Sequence, residues 1–204
     1  EVSLYSGGEL KESRKLFASK GVPTGKARRE VINHRNLDDP SDADLETLVL
    51  ISVRVNEQGE PIPEPDRSRL FNYLPTQEKP DLPFDIQADF LLDSNRSSLH
   101  DGKNDYNKWL FRQTGECFGK LVEYYKENSS YRDAHLQVIP INPRFGLVQE
   151  TICEELSGTK CIPTTADDFA EPEGVIVPTD RLRSALSEDT LSTLIDREVS
   201  YPAP

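Results

Sequence analysis

The chain has 204 residues, 35% hydrophobic and 29% charged, with 15 prolines and a formal net charge of −12. That length suffices for one large domain or two small ones with a hydrophobic core, held without disulfides or metals. The composition excludes a disordered chain and predicts a globular protein with proline-rich connections, and no run approaches the roughly 18 apolar residues of a membrane span. The expected setting is soluble and cytoplasmic. The sequence opens on Glu1, carries no basic-and-apolar signal segment and has no methionine, so it reads as a piece of a longer protein.

Cys117, Cys153 and Cys161 are an odd set without a CxxC pair, and His34, His100 and His135 show no ligand spacing. Free buried thiols are expected, and no metal. Charge is uneven: Glu1 to Asn36 holds eight Lys or Arg against four Glu, and the remainder sixteen against thirty-two acids. An acidic body opposes phosphate backbones, so nucleic acid is not an expected partner. The basic segment, with Arg28, Arg29 and Arg35, reads as a solvated surface or a contact with another domain.

In chain order, Glu1 to Tyr5 reads as a strand and Glu9 to Ser19 as a helical turn or two around Leu10, Leu16 and Phe17, stopped by Gly21 and Pro23. Gly21 to Ala27 (GVPTGKA) fails as a phosphate loop, because its glycines are one residue too close and Ala27 stands where a hydroxyl is needed. It reads as a loop, as does Asn36 to Asp44. Leu48 to Val55 is a β-branched strand, and Pro61, Pro63 and Pro65 enforce an extended connection to a short strand at Leu70 to Leu74. Phe84 to Leu92 alternates Phe84, Ile86, Ala88, Phe90 and Leu92 with Asp85, Gln87 and Asp89, which predicts a half-buried strand with both aspartates on its wet face. Those carboxylates read as solubilising rather than as a catalytic pair.

A helix is predicted from Asn104 to Lys126, capped by Asn104, with Tyr106, Leu110, Cys117, Leu121 and Tyr124 on one stripe. Beyond it come a strand at His135 to Ile141, a helix from Arg144 to Leu156 ended by Gly158, and a strand at Lys160 to Pro163. An apolar stretch at Gly174 to Val177 follows, then helices at Asp180 to Leu186 and Glu188 to Ile195. The expected fold is α+β: a mixed or antiparallel sheet covered by the long helix, with a smaller C-terminal α+β part. The expected division is a basic segment or linker over 1–44, a middle domain over 45–130 and a subdomain over 131–204.

One region carries a signature. LFNYLPT, then LPFDIQADFLLDSNR, then NDYNKWL, between Leu70 and Leu110, resembles the region that follows the ATP-binding module in sacsin-like and related GHKL ATPases. That signature is an FxxLPT strand, a PFxIxADF strand, a Ser-Arg-like turn and a WNxWL-type helix start. Tyr106 stands where tryptophan is frequent, and Asn95 precedes Arg96 where relatives often have serine. The asparagine helix box and DxGxG pocket of the ATP-binding module are absent from these residues.

The resemblance implies a transducer-like domain, with ATP and magnesium held in an upstream module and no cofactor in this chain. In the ninety-kilodalton heat-shock chaperones the corresponding arginine reaches the terminal phosphate of ATP, which makes Arg96 the candidate catalytic contact. Lys79 and Asn95 are secondary candidates for contact with the nucleotide. The bland alternative has Arg96 paired with Asp93 or Asp101 in a surface turn. Expected partners are the upstream module and a protein client; the competing reading is a nonenzymatic interaction module. A self-contained hydrolase is disfavoured, since no nucleophile and base arrangement is visible.

Overall fold

The computed structural model describes residues 2–6, 9–95, 98–99, 104–128, 132–195 and 199–203. Strands Val2–Ser6 (β1), Glu9–Gly21 (β2), Thr47–Val55 (β3), Leu70–Asn72 (β4), Leu74–Pro75 (β5) and Asp85–Gln87 (β6) form one sheet in the order β1-β2-β3-β6-β4-β5. Its pairs are antiparallel except β4 with β6, which run parallel. The α-helices are Gly25–Arg35 (α1), Asp42–Leu45 (α2), Asp105–Lys126 (α3), Gly146–Ser157 (α4), Asp180–Ala185 (α5) and Glu188–Ile195 (α6). A small hairpin joins Ile162–Pro163 (β7) to Phe169–Ala170 (β8). The fold is α+β, with a mixed sheet.

Side-chain alternation assigns the two faces of the sheet. On β3, Thr47, Val49, Ile51, Val53 and Val55 are buried, while Leu48 stays open and Leu50, Ser52 and Arg54 are half-buried. Phe17 lies opposite Ile51 and Ser19 opposite Val49, so both point to the same inner face. Helix α3 covers that face, with Leu110, Cys117, Phe118 and Leu121 fully buried and α1 and α4 packed against it. Asn104 caps α3 as expected, its side chain accepting the Asn107 N–H at 2.9 Å.

Several expectations are corrected. Glu9 to Ser19 is not helical but lies within the 13-residue strand β2. Its inner face is written in polar residues, Ser13 and Ser19 being buried beside Phe17, and Ser19 Oγ donates to Glu116 of α3. The expected nine-residue ladder at Phe84 to Leu92 is a strand only over Asp85–Gln87, and Asp85 is buried rather than wet. The strand at Leu70 to Leu74 is broken at Tyr73, whose φ of 60° reverses the chain between β4 and β5. His135 to Ile141 begins with a 3₁₀ turn, Ala134–Val138, because Ala134, His135 and Val138 all turn inward. Cys153 is exposed, whereas Cys117 and Cys161 are buried.

The core runs across both expected cuts. Phe17, Ala27, Val31 and Leu45 share one cluster with Ile86, Phe90 and Leu110, and so do Val138, Val148, Ile152 and Cys161. A second, small cluster gathers Leu191, Val199 and Tyr201 near the C-terminal end.

Helices α3 and α4 meet through glycines, and the two contacts differ in kind. A Cβ at Gly115 would lie 2.7 Å from Thr151 Cγ2 and 3.2 Å from the Thr151 carbonyl oxygen, which is backbone. Gly115→Ala should therefore destabilise the fold by about 1–3 kcal/mol through overpacking. A Cβ at Gly119 would meet mainly the carboxylate end of Glu155, at 2.7 Å, which can swing aside. There the helix propensity of alanine, about 1 kcal/mol over glycine, makes the change neutral or stabilising. Urea unfolding of both variants checks this, and equal losses would refute the distinction.

His135 is fully buried, with Nε2–H donating to the Cys161 carbonyl at 2.7 Å. Burial pushes its pKa below the ordinary value, against the weaker opposing effects of hydrogen bonds to the backbone of Cys161 and Arg132. The unfolded chain then takes up this proton first as pH falls through about 6.5, so the stability contributed by neutral His135 is present above that pH and lost below it. Melting temperatures of the parent chain and His135→Gln at about pH 7.5 and about pH 5.5 should show the smaller acid-induced drop in the variant. An equal drop in both would show that His135 does not titrate in folding.

Candidate functional site: an anchored turn between β6 and α3

The signature residues fold into one substructure. Thr76 closes the β4–β5 reversal, its N–H and Oγ1 both donating to the Leu70 carbonyl at 2.9 and 3.0 Å. Leu82, Phe84, Ile86, Ala88 and Phe90 enter the core. The backbone pairing with β4 ends at the Ala88 N–H, which donates to the Phe71 carbonyl at 3.1 Å, and beyond it side-chain amides take over the pairing that buried peptide groups require. Asn72 Nδ2 donates to the Phe90 carbonyl at 2.7 Å. Asn107, in the first turn of α3, grips Leu91 at both ends: the Leu91 N–H donates to Oδ1 at 2.8 Å, and Nδ2 donates to the Leu91 carbonyl at 2.9 Å.

The polar turn that follows is closed at its base. Leu92 and Leu99 form a β-bridge, the Asp93 N–H donates to the Ser98 carbonyl at 2.9 Å, and Ser98 Oγ reaches Asp93 Oδ2 at 3.3 Å. The Leu99 N–H points to Glu78 Oε1 at 3.4 Å; Glu78 is buried and ion-paired to Arg144 at 3.0 Å. The Arg144 N–H in turn donates to the Pro80 carbonyl at 3.1 Å. Residues 78–80, 98–99 and 144 are thus stitched together. A cleft of ≈ 250 Å³ lies alongside, lined by Leu99, Asn104, Lys108, Phe111, Arg144 and Leu147 among others.

Of the candidate residues, Lys79 is exposed next to Glu78, and Asn95 is exposed in the turn itself. The Glu78 contact to Leu99 brings their two segments together. Arg96 lies outside the described residues, and so does Asp101, one of its alternative partners. The other, Asp93, is hydrogen-bonded to Ser98. In the basic segment, Arg28 pairs with Asp42 at 2.7 Å, and Arg35 pairs with Asp89 and reaches Tyr106 Oη at 3.3 Å.

Tyr106, standing in the tryptophan position of the signature, has a buried hydroxyl that hydrogen-bonds Thr47 Oγ1 at 3.1 Å. Burial raises its pKa, and the hydrogen bond from Thr47 and the nearby Arg35 charge only partly offset this. It remains a neutral phenol at physiological pH.

No pattern of residues along the chain points to Glu78 and Arg144, whose pairing joins distant segments. Asn72 and Asn107 sit inside the signature, but their roles as backbone clamps require the fold. A second charged cluster lies on the sheet face away from α3: Asp85 is ion-paired to Arg14, lies 3.8 Å from Arg54, and accepts the Arg69 N–H at 2.7 Å. Burial disfavours the Arg14 charge, but the hydrogen bonds and charges of Asp85 and Glu12 outweigh it and raise the Arg14 pKa.

Nothing in this geometry makes a reactive nucleophile of Cys117, whose buried thiol is pushed up to about 12 by desolvation. Among the described residues, no group of three or more His, Cys, Asp or Glu side chains could hold a metal ion, and no helix is long and apolar enough to cross a membrane. Gly21 does not open a nucleotide cradle, since a Cβ there would lie 2.9 Å from Gln113 Oε1 and 3.1 Å from the Trp109 ring. No protein-family model matches the chain, and no curated protein or solved structure matches it at a significant level.

Proposed function

We propose that this chain is the transducer-like part of a GHKL-type ATPase, which answers nucleotide held in an upstream module and passes the change to the rest of the protein. The observation that carries the reading is the anchored turn: the signature residues close Asp93 to Ser98 at its base and clamp Leu91 ahead of it. A turn whose ends are held together suits a contact made across a domain boundary. Arg96, between Asn95 and Ser98, is the residue the turn would deliver to the terminal phosphate. Its guanidinium would neutralise charge developing on the transferred phosphoryl group. ATP and magnesium belong to the upstream module in this reading, and Lys79 and Asn95 would sit at the edge of the contact.

A second reading, a nonenzymatic module that binds a protein partner or client, is favoured by the exposed apolar residues Tyr73, at 77% exposure, Leu74, Leu48 and Leu16. The two readings part on one experiment. Steady-state ATP hydrolysis is measured for the protein that joins this chain to an ATP-binding module, with and without Arg96→Ala. Lower turnover in the variant supports the transducer, and equal turnover in a folded variant rejects it in favour of the interaction module.

A further inference from the structure

We infer that the sheet face turned away from α3 seats an extended segment of a partner protein that carries both apolar and Lys or Arg side chains. This rests on reading the exposed apolar residues as an interaction surface, and not on Arg96. The seat is a groove of ≈ 250 Å³ walled by Leu48 and Leu50 of β3, Gln87 of β6 and Tyr73 at the β4–β5 reversal, with Glu46 and Asp89 also in its wall. A small ligand is enclosed by about 300–1,000 Å³, so this groove fits single side chains of a chain laid across it. The apolar surface continues past the groove, since Ala18 lies opposite Leu50 and Leu16, on the same side of β2, is exposed.

Tyr73 is placed there at a cost to the backbone. Its φ is 60°, and the five other non-glycine residues with positive φ among the described residues are all asparagine or aspartate, which tolerate that conformation. Its ring is left in solvent instead of being buried in return. An exposed tyrosine on a rigid reversal is a good anchor for a partner, because it offers large contact area and has little freedom to lose. The partner lies over the face and does not lengthen the sheet: the edge strand β5 is two residues long, and one of them, Pro75, has no N–H to offer.

Charge selects the partner. From Asp38 to Glu46 the chain carries five acids and no base, and α2 leads that run straight into the groove wall at Glu46. Arg28 meets Asp42 and Lys20 meets Glu46, so a surplus of negative charge remains. The Lys20–Glu46 and Arg35–Asp89 pairs both lie at the surface, where ion pairs hold weakly, and a cation of the partner can take over either carboxylate. At the far end of the same face Arg14 and Arg54 are already met by Asp85, Glu12 and Glu64. The surplus repels nucleic acid and anionic membrane surfaces, and it opposes a second copy presenting the same face.

The test is binding of short labelled peptides to the 204-residue chain, without nucleotide, read by fluorescence anisotropy and by amide chemical shifts. A peptide alternating lysine with leucine should bind saturably and shift amides most at 46–50, 73 and 87–89. Alternating glutamate with leucine should abolish binding, and alternating lysine with serine should weaken it about tenfold or more. Tyr73→Asn should also weaken binding about tenfold or more, with an unchanged or raised urea midpoint, because asparagine accepts the left-handed backbone. Glu46→Gln should weaken binding and flatten its dependence on salt.

Equal binding of either control peptide, or shifts centred on Glu116, Glu123 and Glu127 of α3, would mean general attraction to an acidic chain and overturn the seat. Full affinity in Tyr73→Asn, or no saturable binding below about 1 mM, would overturn it as well. A mass that doubles with concentration, and does not in Tyr73→Asn, would give the face to a second copy instead. Because ATP turnover in Arg96→Ala is read separately, either reading can fail while the other stands.

Discussion

In the proposed transducer, joined to an ATP-binding module, replacing Arg96 with alanine should lower ATP turnover about 100-fold or more while leaving ATP affinity nearly intact. The reason lies in when the contact matters. A guanidinium brought in by a second domain meets the phosphate most strongly as charge spreads over the transferred group, so its loss appears in kcat and hardly in ground-state binding. The described ends of the turn are held together, since the Asp93 to Ser98 hydrogen bond and the Leu92–Leu99 bridge close its base. Arg96→Lys should recover only part of the rate, because an ammonium keeps the charge but not the planar fork of donors. The measurement is steady-state hydrolysis and ATP titration on both variants, with circular dichroism to confirm folding. Unchanged turnover in folded Arg96→Ala would remove the residue from the mechanism.

The long helix was legible because two independent signals agreed: the Asn104 cap and the apolar stripe. Strand β3 was legible because its β-branched run leaves little else for the backbone to do. Strand β2 was hidden for the opposite reason. Its inward positions include Ser13, Lys15 and Ser19, which give no apolar alternation, and they are accommodated only by partners far along the chain. Ser19 bonds Glu116, and the Lys15 ammonium lies 4.7 Å from the centre of the Tyr124 ring. The strand expected at His135 to Ile141 gives way to a tight turn, which the burial of His135 and its bond to Cys161 select. The candidate site was readable as a set of residue types, while the division of labour among them was not. That Asn107 clamps Leu91 and Glu78 reaches Leu99 depends on which segments the sheet brings side by side.

Asp85 and Asp89 test the limits of alternation, because the sequence puts them on the same wet face and the structure separates them. The Asp85 side chain is 5% exposed, and it faces Arg14 and Arg54, which lie directly opposite each other across β2 and β3. Like charges so placed repel, and Asp85, with Glu12 and Glu64 around it, is what lets two guanidiniums share one patch. Asp85→Ala should therefore destabilise the fold by about 3 kcal/mol, the lower end of what breaking a buried pair costs, since Glu12 and Glu64 remain. Asp85→Asn should lose less, because its amide oxygen can still accept the Arg69 N–H. Asp89 is 38% exposed and pairs with Arg35 at the surface, so Asp89→Ala should cost under about 1 kcal/mol. Added salt should shrink the Asp89 effect and spare most of the Asp85 effect, since screening reaches exposed pairs far more than buried ones. Urea midpoints at constant slope, at low and high salt, read both quantities. Equal and salt-sensitive losses at the two positions would mean that Asp85 is solvated like its neighbour and that the guanidinium pair is held by the glutamates alone.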